Sequence, residues 1–121
     1  MRKIIGQAFP RSCRLTRTDE FSSVFGFRRA IKSAHFLLHY RRRAEGEGAR
    51  LGVVVAKRFL RRSVDRNLIR RLARECFRKM RVNLVSRDLV LRLASKPEIL
   101  DRRAIGKEIE ILLEKCRRVE N

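Results

Sequence analysis

Residues 63–81, SVDRNLIRRLARECFRKMR, constrain this chain more than any other stretch. Set on a helical period of about 100° per residue, Val64, Leu68, Ile69, Leu72, Ala73, Cys76 and Met80 fall on one arc. Arg66, Asn67, Arg70, Arg71, Arg74, Arg78 and Arg81 fall on the other. The apolar arc needs a layer to pack against. The basic arc cannot enter a core, because an unpaired guanidinium is costly there. Ser63 is expected to cap the helix, with Asp65 in the first turn where the dipole favours an acid. Arginines at i and i+4 repel, so a helix carrying such a ladder points to an anionic partner. Guanidinium forks match phosphate with two parallel hydrogen bonds, and Asn67 adds a neutral donor and acceptor. Lys57, Arg58, Arg61 and Arg62 extend the basic surface just before the helix.

The charge balance agrees. A net charge of +19 on 121 residues is hard to sustain without a polyanion. Nucleic acid ranks first as that partner, an anionic membrane surface second and acidic protein third. The 44% hydrophobic content suffices for one core and is too high for a disordered tail. No apolar run approaches the roughly 18 residues of a membrane span, and the N-terminal apolar piece is too short and interrupted for a signal peptide. Cys13, Cys76 and Cys116 are odd in number and far apart, so neither a zinc site nor a disulfide framework is expected. A reducing cytoplasm fits them.

Residues 1–14 read as a basic arm and 15–119 as one domain. A short helix is expected over 16–25, with Phe21, Val24 and Phe25 on one face and Gly26 ending it. Residues 30–32 and 36–40 read as strands. Phe36, Leu38 and Tyr40 share one face of the second; His35, Leu37 and His39 share the other. The AEGEGA stretch is a turn, expected to be mobile. Residues 50–57 form a strand with Leu51, Val53 and Val55 inward, and Gly52 leaves room for close packing or a bulge. Another strand covers 88–94. A final helix covers 101–118, with Ile105, Ile109, Leu112 and Cys116 inward. The order α-β-β-β-α-β-α gives a single-domain α+β sandwich, helices against a four-stranded sheet.

No catalytic constellation emerges. His35 and His39, on one strand, stand roughly 13 Å apart, too far for a compact acid–base pair. Carboxylates are sparse and do not cluster as a two-metal nuclease would require. The expectation is a binder with no catalytic and no metal-ligating residues of its own.

The strand, Lys57-Arg58, Arg66-Asn67, Arg70-Arg71 and Arg74-Glu75 together resemble the signature of the protein component of bacterial ribonuclease P. The family usually has a third basic residue after the Asn, where this chain has Leu68. The resemblance covers nearly the whole chain, is sharpest at 51–78, and includes F-P-x-x-x-R-L before the first helix. It implies a mixed sheet with a left-handed crossover around the basic helix, against the usual right-handed rule. It implies binding of a catalytic RNA through Lys57, Arg58, Arg61, Arg62, Arg66, Asn67, Arg70, Arg71 and Arg74. It also implies a groove for the 5′ leader of precursor tRNA, lined by Phe21, Phe25, Leu37 and His39, with Tyr40 competing for the place of His39. The chemistry, and the magnesium ions, would belong to the RNA. Other readings of the same charge and fold are another structured-RNA binder such as a ribosomal protein, a DNA-binding regulator, and a stand-alone nuclease. The DNA reading has few base-reading side chains and no dimer seam to support it.

Overall fold

The structure, a computed structural model, describes residues 29–44, 46–81, 84 and 87–118. The basic arm and the helix expected over 16–25, with Phe21 and Phe25, lie outside these residues. Along the described chain run β1 (Ala30–Lys32), β2 (Phe36–Arg42), β3 (Arg50–Val54), α1 (Ser63–Met80), β4 (Arg87–Leu93) and α2 (Arg102–Arg118). The strands make one mixed sheet in the order β1-β2-β4-β3, with β3 and β4 parallel and the other pairs antiparallel. Parallel neighbours cannot be joined by a hairpin, so the chain leaves the sheet after β3, passes through α1 and returns as β4.

Alternation sorts β2, whereas the central strand β4 is buried on both faces, Val90 and Asp88 included. Phe36, Leu38 and Tyr40 of β2, Leu51 of β3, and Leu89, Leu91 and Leu93 of β4 are buried in a single core. The same core takes Ile69, Ala73 and Phe77 from α1 and Ile105, Ile109, Leu112, Leu113 and Cys116 from α2. Both helices therefore cover one face of the sheet. The register between β3 and β4 is unbroken through Gly52↔Val90, so Gly52 marks no bulge. β3 stops at Val54, earlier than residue 57, because the Ala56 carbonyl accepts from the amides of Phe59 and Leu60 and turns the chain.

Two local expectations are corrected. Ser63 is not the cap of α1: Arg62 holds that position in extended backbone, with no side-chain capping bond. The apolar arc is also set differently. The buried row is Ile69, Ala73 and Phe77, at i, i+4 and i+8, whereas Val64 is 56% exposed. Leu72, Cys76 and Met80 form the adjacent half-buried row, lining a groove beside Gly106 of α2. Phe77 borders the arginines by helical angle, and only the position of the sheet makes it a core residue. Arg43 Nη1 donates to the carbonyls of Glu47 (3.0 Å) and Gly48 (2.9 Å). Gly46 and Gly48 take positive φ, 88° and 78°, where side chains are strained.

Candidate nucleic-acid interface

The basic surface begins in the turn between β3 and α1. Leu60 is buried and Phe59 half-buried against the core, which leaves Lys57, Arg58, Arg61 and Arg62 exposed. The Arg58 guanidinium lies 4.7 Å from the Phe59 ring centroid, a cation–π contact that holds its stem against the turn. Arg62 stands 3.8 Å from Asp65, an exposed ion pair of small energetic weight.

Arg66 is half-buried and braces the junction. Its Nη1 donates to the carbonyls of Leu60 (2.9 Å) and Arg61 (2.8 Å), tying turn to helix. Beyond it, Asn67, Arg71 and Arg74 are exposed and Arg70 half-buried. Arg70 Nη1 donates to Asn67 Oδ1 at 3.2 Å, so the Asn67 amide orients the arginine and its own NH2 takes no part in that bond. One turn on, Glu75 pairs with Arg78 and Lys79. The Arg78 hydrogen bond is the main reason its carboxyl sits below the usual range. The nine cationic and amide positions read from the sequence thus occupy one continuous stretch, the turn and α1, whose opposite side is anchored in the core.

The second surface is the sheet face turned away from both helices. Register places its residues in three rungs: Leu37, Arg92 and Val54; His39, Val90 and Gly52; Arg41, Asp88 and Arg50. The register puts His39 and Tyr40 on opposite faces. Tyr40 is buried in the core beneath the Arg87 guanidinium, 5.4 Å away, and His39 stands beside Leu37 on the outer face. Arg92 Nε donates to His39 Nε2 at 3.4 Å, which requires a neutral ring with its proton on Nδ1. Burial and then the Arg92 charge lower the His39 pKa below its ordinary 6.5. The ring is therefore uncharged at neutral pH. Phe21 and Phe25, the other expected members of this surface, lie outside the described residues.

The last rung holds what sequence reasoning missed. Asp88 is fully buried, accepts hydrogen bonds from one arginine on each neighbouring strand and is ion-paired with a third in the turn after β2. Arg50 grips it at 2.8 and 3.0 Å, Arg41 at 3.0 Å, and Arg43 lies 3.5 Å away. The available signal was an aspartate beside the apolar run of the strand RDLVLRL: a buried carboxylate must find cations on its neighbours.

Among the described residues, no three His, Cys, Asp or Glu side chains stand close enough to hold a metal ion. No described helix is long and apolar enough to cross a membrane.

Comparison with known proteins gives one answer. The family profile described as Ribonuclease P matches residues 9–117. A protein of Azoarcus sp. named Ribonuclease P protein component is 49% identical over 96 residues, 79% of each chain. Another of that name from Aromatoleum aromaticum is 45% identical over 113 residues, covering 93% of this chain and 94% of its own. The solved Staphylococcus aureus RNase P protein superposes with a TM-score of 0.78 at 20% identity, over 90% of this chain and 98% of that one. That likeness carries the fold.

Proposed function

We propose, from the premise that this chain belongs to the ribonuclease P protein family, that α1 and the turn before it bind the catalytic RNA while the outer sheet face receives the leader of precursor tRNA. Membership itself makes the chain the protein component of an endoribonuclease that removes the 5′ leader of tRNA precursors. The partners and the residues that meet them are the part argued from the surfaces.

The carrying observation is the continuity of the first surface. Lys57, Arg58, Arg61, Arg62, Asn67, Arg71 and Arg74 are all exposed, and Arg66 and Arg70 are held by local hydrogen bonds. Guanidiniums already held, as those of Arg66 and Arg70 are, have less to order when they meet phosphates, and counterion release adds to the affinity of the whole row. The second surface is of another kind. Leu37 and neutral His39 offer packing and a polar edge beside the Arg92 guanidinium, suited to unpaired bases of a single strand. Phe21 and Phe25 are proposed to complete it.

Two RNAs repel when brought together, and cations between them lower that cost. In this reading the protein does so, and the RNA performs the cleavage. The magnesium ions are proposed to be held by the RNA. A cytoplasmic setting is supported by Cys76 and Cys116, both free thiols, whose pKa values burial raises.

The test combines binding and cleavage. Arg70→Ala with Arg74→Ala is expected to weaken binding to a transcribed bacterial ribonuclease P RNA and to flatten the salt dependence by roughly 0.7 to 0.9 per lost phosphate contact. Cleavage of precursor tRNA by that RNA at low magnesium should fall in step, with the melting temperature little changed. Equal affinity of variant and parent at matched salt overturns the assignment.

A further inference from the structure

The cationic surface contains an aliphatic spot. Val64 is 56% exposed in the first turn of α1, and Leu68, one turn later, is half-buried. Arg61 lies three residues before Val64, and Asn67 and Arg71 three and seven after it, all exposed. Arg61 precedes α1, and at helical spacing Asn67 and Arg71 flank the pair on one side and Asp65 and Leu72 on the other, so the spot lies along the edge of the basic surface.

Packing does not account for Val64. The row that enters the core is Ile69, Ala73 and Phe77, and the row beside α2 is Leu72, Cys76 and Met80. Helix propensity does not favour it either, since a β-branched side chain loses χ1 freedom in a helix. Exposed aliphatics scattered singly are ordinary. Val64 differs in being paired with Leu68 and in lying beside groups that attract phosphate, Arg61, Asn67 and Arg71. A surface that met only phosphates would gain nothing from two aliphatic side chains where more cations fit. Structured RNA also presents unstacked bases, whose faces pack on apolar side chains while neighbouring phosphates meet arginine.

We propose that Val64 and Leu68 form the seat of an unpaired nucleobase of the bound RNA, a specificity contact along the edge of the arginine row. It rests on the reading above that this face meets RNA. Arg61 and Arg71 take the flanking phosphates, and Asn67 offers its amide to the edge of the base. The contact is apolar, so it adds affinity without adding counterion release.

That difference gives the test. The full chain is titrated with a transcribed bacterial ribonuclease P RNA over a series of salt concentrations. Val64→Ser is expected to weaken binding about fivefold to tenfold at every salt, from the loss of apolar contact area. The slope of log affinity against log salt stays that of the parent. Val64→Lys also weakens binding despite its added charge, and Val64→Ile restores parental affinity. The proposal is overturned if Val64→Ser binds like the parent, or if Val64→Lys tightens binding and steepens the slope by about 0.7 to 0.9. The Arg70→Ala, Arg74→Ala protein runs alongside. If it loses affinity while Val64→Ser does not, only the base seat is wrong. If it loses none, the RNA-facing reading of α1 falls and the seat with it. Val64→Thr keeps the side-chain shape and repeats the Val64→Ser arm should serine perturb the helix start.

Discussion

His35 Nδ1 lies 2.9 Å from Glu108 Oε1, joining the β1–β2 turn to α2 across the edge of the sheet. The other carboxylate oxygen accepts from Ser33 Oγ at 2.5 Å and from the His35 amide at 2.7 Å. One glutamate thus satisfies three donors of a turn whose strand would otherwise end without support.

Acid sensitivity follows from this bridge. Burial raises the Glu108 pKa, but the hydrogen bonds from the His35 ring, Ser33 and the His35 amide, with the His35 charge, outweigh it and leave the carboxyl below its ordinary 4.5. A lowered carboxylate pKa stabilises the fold above the unfolded-state value, and that stability is lost as pH falls through the folded value. The parent is expected to lose stability below about pH 4.5, the unfolded value, and Glu108→Gln to lose about 2 kcal/mol already at pH 7, with a shallower decline in acid. Urea titrations at pH 7 and pH 3.5 measure both. Identical curves for the two proteins would show that the bridge carries no stability.

Asp88 predicts a larger effect. Its carboxylate is fully buried, and the side chains of Arg41, Arg43 and Arg50 around it are each less than a third exposed. Removing one member of a buried charge cluster leaves the others uncompensated. Asp88→Ala is expected to cost about 3 to 5 kcal/mol, because three guanidiniums then repel where they once converged. Replacing the exposed Glu75 by Ala should cost less than about 1 kcal/mol, since its ion pairs lie in water. Chemical denaturation of the two variants side by side checks the contrast. Near-equal losses would mean that the Asp88 cluster is screened like a surface pair.

Phe77 and Val64 test which side of α1 is inside. Phe77 is fully buried, and Phe77→Ala is expected to cost about 3 to 5 kcal/mol through the cavity it leaves. Val64→Ala should change stability by no more than about 0.5 kcal/mol, as for other surface positions. Thermal melts of both suffice. A Val64→Ala loss approaching that of Phe77→Ala would return the buried row to the arc suggested by periodicity alone.

That pair also marks how far the sequence could be read. Strand and helix placement over the described residues was legible within a few positions, because period-2 alternation and the α2 row Ile105, Ile109, Leu112 and Cys116 are local signals. The arginine row was legible because charge of one sign at helical spacing has few other readings. Phe77 was not, since a helix with a wide apolar arc can be rotated and only the sheet fixes the angle. Nor were the bonds of Asp88 to Arg41 and Arg50 or of Glu108 to His35: they join residues 38 to 73 positions apart, and no local pattern encodes them. Arg66 was read as an RNA contact by its place in the row, but its bonds to Leu60 and Arg61 depend on the turn geometry before it.

Gly106 yields the last prediction, one of gain. It sits inside α2, where glycine costs up to about 1 kcal/mol relative to alanine. Some helical glycines are kept because a neighbour approaches too closely for a methyl group. Here the atom nearest to an added Cβ is Leu72 Cδ2 at 3.9 Å, an ordinary van der Waals contact. The Cys76 thiol donates to the Gly106 carbonyl at 3.6 Å, a bond to the backbone that a side chain does not replace. Gly106→Ala is therefore expected to raise stability by about 0.5 to 1 kcal/mol in urea. Part of the gain comes from restricting the unfolded chain, and part from packing the methyl into the groove between the helices. RNA affinity should not change, because the groove lies on the flank of α1 away from Arg70 and Arg74. A net loss of stability would show that α1 and α2 approach each other more closely at Gly106 than a methyl group allows.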